Sequence, residues 1–179
     1  MIQKKRSNKA QIWIETVIYT LIGLTIIASM MYVILPKINQ MNDKAIISQS
    51  VDSLNSIDTE IQNLLVSPAN KREIFLNVKK GEYTINSEKD KLFFVLKGTE
   101  LLYSEVDEEI IDGEIIKTTR SRGEKYDVYL YLNYSYLNIT FENKEINKTL
   151  TSASTAYRLL FENLGADSNN RINVNVRLI

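Results

Sequence analysis

Hydrophobic and polar positions fall into three textures along the chain. From Thr16 to Leu35 there are twenty residues without a charge, and the polar ones are only Thr16, Thr20, Thr25 and Ser29, whose hydroxyls can bond back to the preceding helical turn. At 1.5 Å per residue that run matches the ~30 Å hydrocarbon core of a bilayer. After Pro36 it thins into a stripe. Ile38, Met41, Ile47, Val51, Leu54, Ile57 or Asp58, Ile61, Leu64 and Leu65 recur at helical spacing among Asn, Asp, Gln and Ser, which predicts one apolar face of a continued helix. Pro36 should bend that helix, because its ring removes a backbone bond and crowds the preceding turn. A helix from Gln11 through Leu65 would be a stem of roughly 80 Å at 1.5 Å per residue, ending at Ser67-Pro68. The stripe has two possible uses, packing on the chain's own head and self-association.

The third texture begins at Arg72, where short runs of β-branched, Leu and aromatic residues are divided by turn signals. The pattern predicts strands over 73–78, 82–86, 91–96, 100–106, 114–119, 126–132, 136–142, 145–150, 157–162 and 172–178, the run 157–162 being readable also as a helical turn. Stretches such as "YDVYLYL" and "INVNVRLI" alternate as half-buried strands do. Lys80-Gly81, Lys97-Gly98, Asp112-Gly113, Arg122-Gly123 and Leu164-Gly165 are expected to mark the breaks. The fold class is therefore α+β: a long amino-terminal transmembrane and amphipathic helix followed by an all-β, sandwich-like head. The expected divisions are 1–10 as a basic leader, 11–67 as stem helix and 68–179 as an extracellular β domain.

Charge orients this arrangement. The 179 residues hold 22 Lys and Arg and 22 Asp and Glu, so neither nucleic-acid binding nor acidic disorder is indicated. The balance conceals an asymmetry: Lys4, Lys5, Arg6 and Lys9 precede the apolar run with no acid among them, leaving 18 basic against 22 acidic groups from residue 11 onward. Just behind the run the charge is much weaker, Lys37 followed by Asp43 and Lys44. The positive-inside rule then puts the amino terminus in the cytoplasm and the head outside. There is no cysteine and no histidine, which removes disulfides, thiolate nucleophiles, the commonest general base and the commonest transition-metal ligand. No cofactor, metal or catalytic residue is expected, and an enzyme is disfavoured.

One letter is out of place. Glu15 sits at the mouth of the apolar run, where a carboxylate in hydrocarbon costs roughly 2.5–3.5 kcal/mol on insertion scales. "KAQIWIE", with its basic residues, then Ala10, Gln11 and a glutamate fifth from Gln11 ahead of an apolar helix, resembles the amino terminus of type IV pilin-like proteins, and most of all the archaeal kind with a class III signal peptide. The resemblance implies that a prepilin-type peptidase cuts between Ala10 and Gln11, so that the apolar helix is kept. It further implies that Glu15 pairs with the new Gln11 amine of a neighbouring pilin-like subunit as helices bundle into a filament. Trp13 and Tyr19 depart from the serine third and leucine ninth common in that pattern, and Trp13 suits an interfacial anchor. The implied function is a structural subunit, pilin or pseudopilin, of a surface filament or secretion system, with the membrane, the peptidase and other subunits as partners. The rivals are a monomeric single-pass anchor carrying an extracellular binding module, and a β domain released by an ordinary signal peptidase. A usual signal peptide has an apolar core of only ~7–15 residues followed by a cleavage site.

In the head, Asn133, Asn138 and Asn147 each begin an Asn-x-Ser/Thr acceptor tripeptide for N-linked glycan. The acidic run Asp107-Glu108-Glu109 with Asp112 lacks the ligand spacing of a calcium loop and reads as a solvated loop. "GADSNNR", Gly165 to Arg171, reads as a turn. Tyr126, Tyr129, Tyr131, Tyr134 and Tyr136 form an aromatic cluster of the kind that binds sugar or another protein, but alternation should divide it between two faces, and strand propensity accounts for it.

Overall fold

The structure is a computed structural model that describes residues 9–168 and 170–179, with backbone alone for residues 9–11. The chain divides into two compact units between residues 39 and 40. One helix, α1 (Lys9–Leu65), runs through both and continues across Pro36. In the first unit the large apolar side chains from Ile12 to Ile38 are all exposed. The hydroxyls of Thr16, Thr20, Thr25 and Ser29 each donate to the carbonyl four residues earlier, at 2.6–2.9 Å, so those four side chains carry their polar atoms into the helix and leave its surface apolar.

The second unit builds ten strands: β1 (Lys71–Leu76), β2 (Glu82–Asn86), β3 (Lys91–Thr99), β4 (Glu109–Asp112), β5 (Ile115–Arg122), β6 (Lys125–Asn133), β7 (Leu137–Phe141), β8 (Lys148–Thr151), β9 (Tyr157–Ala166) and β10 (Ile172–Leu178). They form a four-stranded sheet in the order β1-β9-β10-β7 and a six-stranded sheet in the order β4-β5-β6-β3-β2-β8. Pairing is antiparallel except between β10 and β7. The expected helix followed by a β-rich head is what the chain forms.

Alternation sets the inner faces. Leu92, Phe94 and Leu96 of β3 lie beside Leu132, Leu130 and Val128 of β6 on one buried face. In the other sheet Leu159 and Phe161 meet Leu178 and Val176, three of the four fully buried. The amphipathic half of α1 completes the same core. Asp43, Ile47, Ser50, Leu54, Ile57, Ile61 and Leu64 are buried at alternating spacings of four and three, a stripe one face wide. Leu54 and Ile57 line a seam with Leu76, Leu159 and Phe161 of one sheet and Ile85, Leu92 and Leu150 of the other, and the void left there is about 10 Å³, no more than a single water needs. The stripe from Ile47 to Leu64 therefore packs on its own head, whereas Ile38 and Met41 stay exposed.

Three polar contacts fix the helix in register. The buried Asp43 accepts from Lys80 and, at 2.7 Å, from the Thr99 hydroxyl. Tyr134, 2 % exposed, donates its hydroxyl to Asp58 at 2.9 Å. The last turn of α1 carries no basic side chain to meet its orphan carbonyls; the Asn163 amide donates instead to Leu64 O at 3.1 Å and Ser67 O at 3.2 Å. At the start of β2, Gly81 adopts φ +85°, and a Cβ there would lie 2.6 Å from the Phe94 ring and 2.8 Å from Val95 O, so only glycine fits.

Two expectations need correction. The run 100–106 is not a strand. Gly98, at φ +68°, breaks the β3–β6 register between Leu96 and Thr99, and the backbone amides of Leu101 and Ser104 bond to the side chains of Thr99 and Thr119 rather than to a neighbouring strand. The strand in this region is β4, all of it exposed and flanked by Glu109 and Asp112, charges that guard a sheet edge. Nor does Leu164-Gly165 end its strand. β9 continues to Ala166, with Gly165 at φ +89° next to a register shift in its pairing with β10.

The five apolar helix residues in the core imply that a Pro68–Ile179 fragment cannot stand alone. At about 1.5–3 kcal/mol for each fully buried side chain, their loss rivals the ~5–15 kcal/mol that holds a domain together. A Gln40–Ile179 fragment should unfold in a single cooperative transition by urea-monitored fluorescence, and the Pro68–Ile179 fragment should show none.

The four-stranded sheet also carries a pH-sensitive contact. Glu162 stands opposite Lys71, accepts its ammonium at 2.8 Å and also meets Arg177. The Lys71 hydrogen bond, opposed by burial and helped by Arg177, holds the Glu162 carboxyl below the usual glutamate range. A depressed folded-state value stabilises at neutral pH and is lost as pH falls through it, below about 4.3. Glu162→Gln should lower the melting temperature at pH 7, and its difference from the parent protein should shrink as pH falls below about 4.3.

Candidate functional site

Two surfaces carry chemistry, the exposed apolar length of α1 and the outer face of the six-stranded sheet. On α1, Ala10 and Gln11 lie in helical backbone, their side chains outside the described residues, and Glu15 is exposed within the same helix. Beyond Glu15, from Thr16 to Leu35, the helix is apolar around its circumference, and α1 is the one described helix long and apolar enough to cross a membrane. Such a helix is compatible with a single-pass membrane anchor.

On the six-stranded sheet, inward and outward residues separate by parity. The tyrosine cluster divides accordingly: Tyr134 is buried against α1, Tyr136 is exposed and accepts from the Gln62 amide at 3.1 Å, and Tyr129 and Tyr131 face outward. Register places Phe93 beside Tyr131 and Val95 beside Tyr129, with Thr118 beside Tyr129 on the other side and Glu109 beyond Thr118. The Phe93 and Tyr131 rings are 5.6 Å apart. Lys91 stands 4.9 Å over the Tyr131 ring and Arg120 5.0 Å over Tyr129, within cation–π range. The Tyr131 hydroxyl donates to Glu109 at 2.8 Å. Burial, reinforced by Glu109, pushes that phenol up to about 12, so it stays protonated as a donor at any physiological pH. These side chains line a groove of about 420 Å³.

Comparison with protein-family models, with curated proteins and with solved structures finds no match. The residues themselves must carry any assignment.

The other motifs resolve into structure. Asp112 pairs with Lys117 and Glu109 with Tyr131, while Asp107 turns the chain at φ 60°; no metal-holding cluster of acidic residues occurs among the described residues. In "GADSNNR", Asp167 accepts from the Arg171 amide at 2.9 Å and Asn170 takes φ 61°, a closed turn; Asn169 lies outside the described residues. The sequence did not point to Phe93, Thr118 or Arg120 as partners of the tyrosines. Each sits at an outward-facing parity position, but their meeting depends on which strands pair.

The acceptor asparagines are not equivalent. Asn133 and Asn147 are exposed, at the end of β6 and just ahead of β8. Asn138 is half-buried in β7, and its amide nitrogen donates to Asn173 Oδ1 at 2.7 Å. Glycan attaches to that nitrogen, so Asn138 would have to give up its bond. If the native host modifies this head, glycopeptide mass spectrometry should find occupancy at Asn133 and Asn147 and an unmodified Asn138.

Proposed function

We propose that the chain is a single-pass membrane protein, amino terminus in the cytoplasm and head outside, that is cut between Ala10 and Gln11 by a prepilin-type peptidase and assembles as a pilin-like subunit of a surface filament or secretion pseudopilus. The observation that carries this reading is a helix apolar around its circumference from Thr16 to Leu35, continuous in one element with a segment that is part of the head's core. A peptidase acting beyond the span would release the head; one acting ahead of it leaves the apolar helix attached. That attached helix has two compatible surroundings, a bilayer before assembly and a bundle of copies afterwards. Lys4, Lys5, Arg6 and Lys9, with their positive charge, support the orientation.

Glu15 gives the assembly step its chemistry. Cutting after Ala10 creates a cationic amine at Gln11, four residues ahead of the carboxylate. Between neighbouring subunits the two charges offset part of each other's desolvation, and removing one member of such a buried pair typically costs about 3–5 kcal/mol. The second reading, an anchored monomeric binding module, is favoured by the groove on the six-stranded sheet, which has the size of a ligand site.

Glu15→Gln separates the two readings. In the native host the variant should still insert and be cut, while sheared surface filaments fall by about a hundredfold relative to the membrane-bound mature subunit, as a loss near 3 kcal/mol per contact implies. Unchanged filament yield would refute the pairing. A monomeric anchor should be indifferent to the change or insert slightly better.

A further inference from the structure

We infer that the outer face of the six-stranded sheet binds a carboxylated oligosaccharide. The groove brings Lys89, Lys91 and Arg120 together with a single carboxylate, Glu109, in a head whose residues 40–179 hold 17 basic and 21 acidic groups. A net positive site on a net negative body selects an anion. None of the three cations forms an ion pair among the described residues, although nine other cations of the head do. Two of the three are held in place, Arg120 on the Tyr129 ring and Lys91 on the Tyr131 ring. A guanidinium stacked in this way keeps its planar fork of donors for a carboxylate and loses less freedom on binding.

The remaining groups decide between classes of anion. Glu109 accepts one bond from Tyr131, and a carboxylate can accept more than one; it repels any anionic group set beside it and accepts from hydroxyls, so it favours a ligand that presents neutral hydroxyls there and its carboxylates to the cations, over one charged along its whole length. The hydroxyls of Thr84 and Thr118 add neutral donors and acceptors beside it. A single-stranded nucleic acid stacks its bases on aromatic faces, and here Tyr129 and Tyr131 each already carry a cation over the ring. An extended peptide docks by adding to a sheet edge, whereas this groove lies on a sheet face. Cations for carboxylates and an acceptor for hydroxyls fit a polyhydroxylated, carboxylated ligand, and about 420 Å³ suits a short oligosaccharide.

The test uses the full chain in detergent micelles with fluorescently labelled trigalacturonic acid, read by thermophoresis. The chain should bind it with an affinity that falls as salt rises, and the fully methyl-esterified trisaccharide should bind at least about tenfold more weakly. Arg120→Gln, and independently Lys91→Gln on a different strand, should each weaken binding by about tenfold with the melting temperature kept. Lys144→Gln, exposed and outside the groove, should change nothing. No binding at millimolar trisaccharide, equal binding of the ester, binding unchanged in both groove variants, or equal binding of triglutamate or oligo(dT) would overturn the inference. Binding of the acid alone, lost in either folded groove variant, supports it whether or not the chain assembles into filaments.

Discussion

The stripe from Ile47 to Leu64 meets both sheets at once and fills the seam of the core between them. Neither sheet faces the seam alone: Leu54 and Ile57 touch Leu76, Leu159 and Phe161 on one side and Ile85, Leu92 and Leu150 on the other. A four-stranded and a six-stranded sheet with that helix removed would leave an apolar trough open to water. The polar contacts follow from the packing. Asp43, Asp58 and the Leu64 carbonyl are brought against the sheets by the apolar stripe, and each is met by a dedicated partner, Thr99 and Lys80, Tyr134, and Asn163. A buried carboxylate or carbonyl without such a partner costs about 1–3 kcal/mol or more, so these residues hold the helix in one register.

The same helix faces the opposite constraint in its first half. From Thr16 to Leu35 there is no apolar face because there is no polar one, and the four hydroxyl side chains bond inward. One continuous element is thus a core component at its carboxy-terminal end and an unclad apolar surface at its amino-terminal end. The proposed function rests on this combination: a head whose core includes the helix stripe, and an apolar segment compatible with a membrane. The groove is independent of both, since its residues point outward from a sheet whose inner face is already filled.

Much of this was legible in the letters, and the exceptions share a cause. The uncharged run, the stripe and the helix end at Leu65 followed from period and from Ser67-Pro68, because helical packing is local in sequence. Strands such as Ile172–Leu178 and Lys125–Asn133 followed from alternation. Position 57 or 58 was ambiguous by spacing and is settled by contact: Ile57 enters the core and Asp58 meets Tyr134. The strand expected over 100–106 has suitable composition, yet Gly98 breaks the ladder ahead of it and Thr99 and Thr119 take its amides. Gly98 and Gly165 read as chain breaks but serve as irregularities inside strands. Strand order, and with it the meeting of Phe93, Tyr131 and Arg120 on one face, is set by pairing between residues far apart in sequence, such as Phe93 with Tyr131 and Lys71 with Glu162, which no local pattern encodes. Asn163 as the helix cap lies almost a hundred residues from the carbonyl it serves.

The central claim is that the apolar helix is an attached, functional part of the mature protein and not a segment discarded on export. The most direct measurement is the amino-terminal sequence and intact mass of the chain recovered from membranes and surface fractions of its native host. The account predicts a mature chain that begins at Gln11 and retains Thr16–Leu35 in both fractions. A chain beginning at Met1 would contradict the processing step, and one beginning near Met30 or beyond would contradict the claim itself.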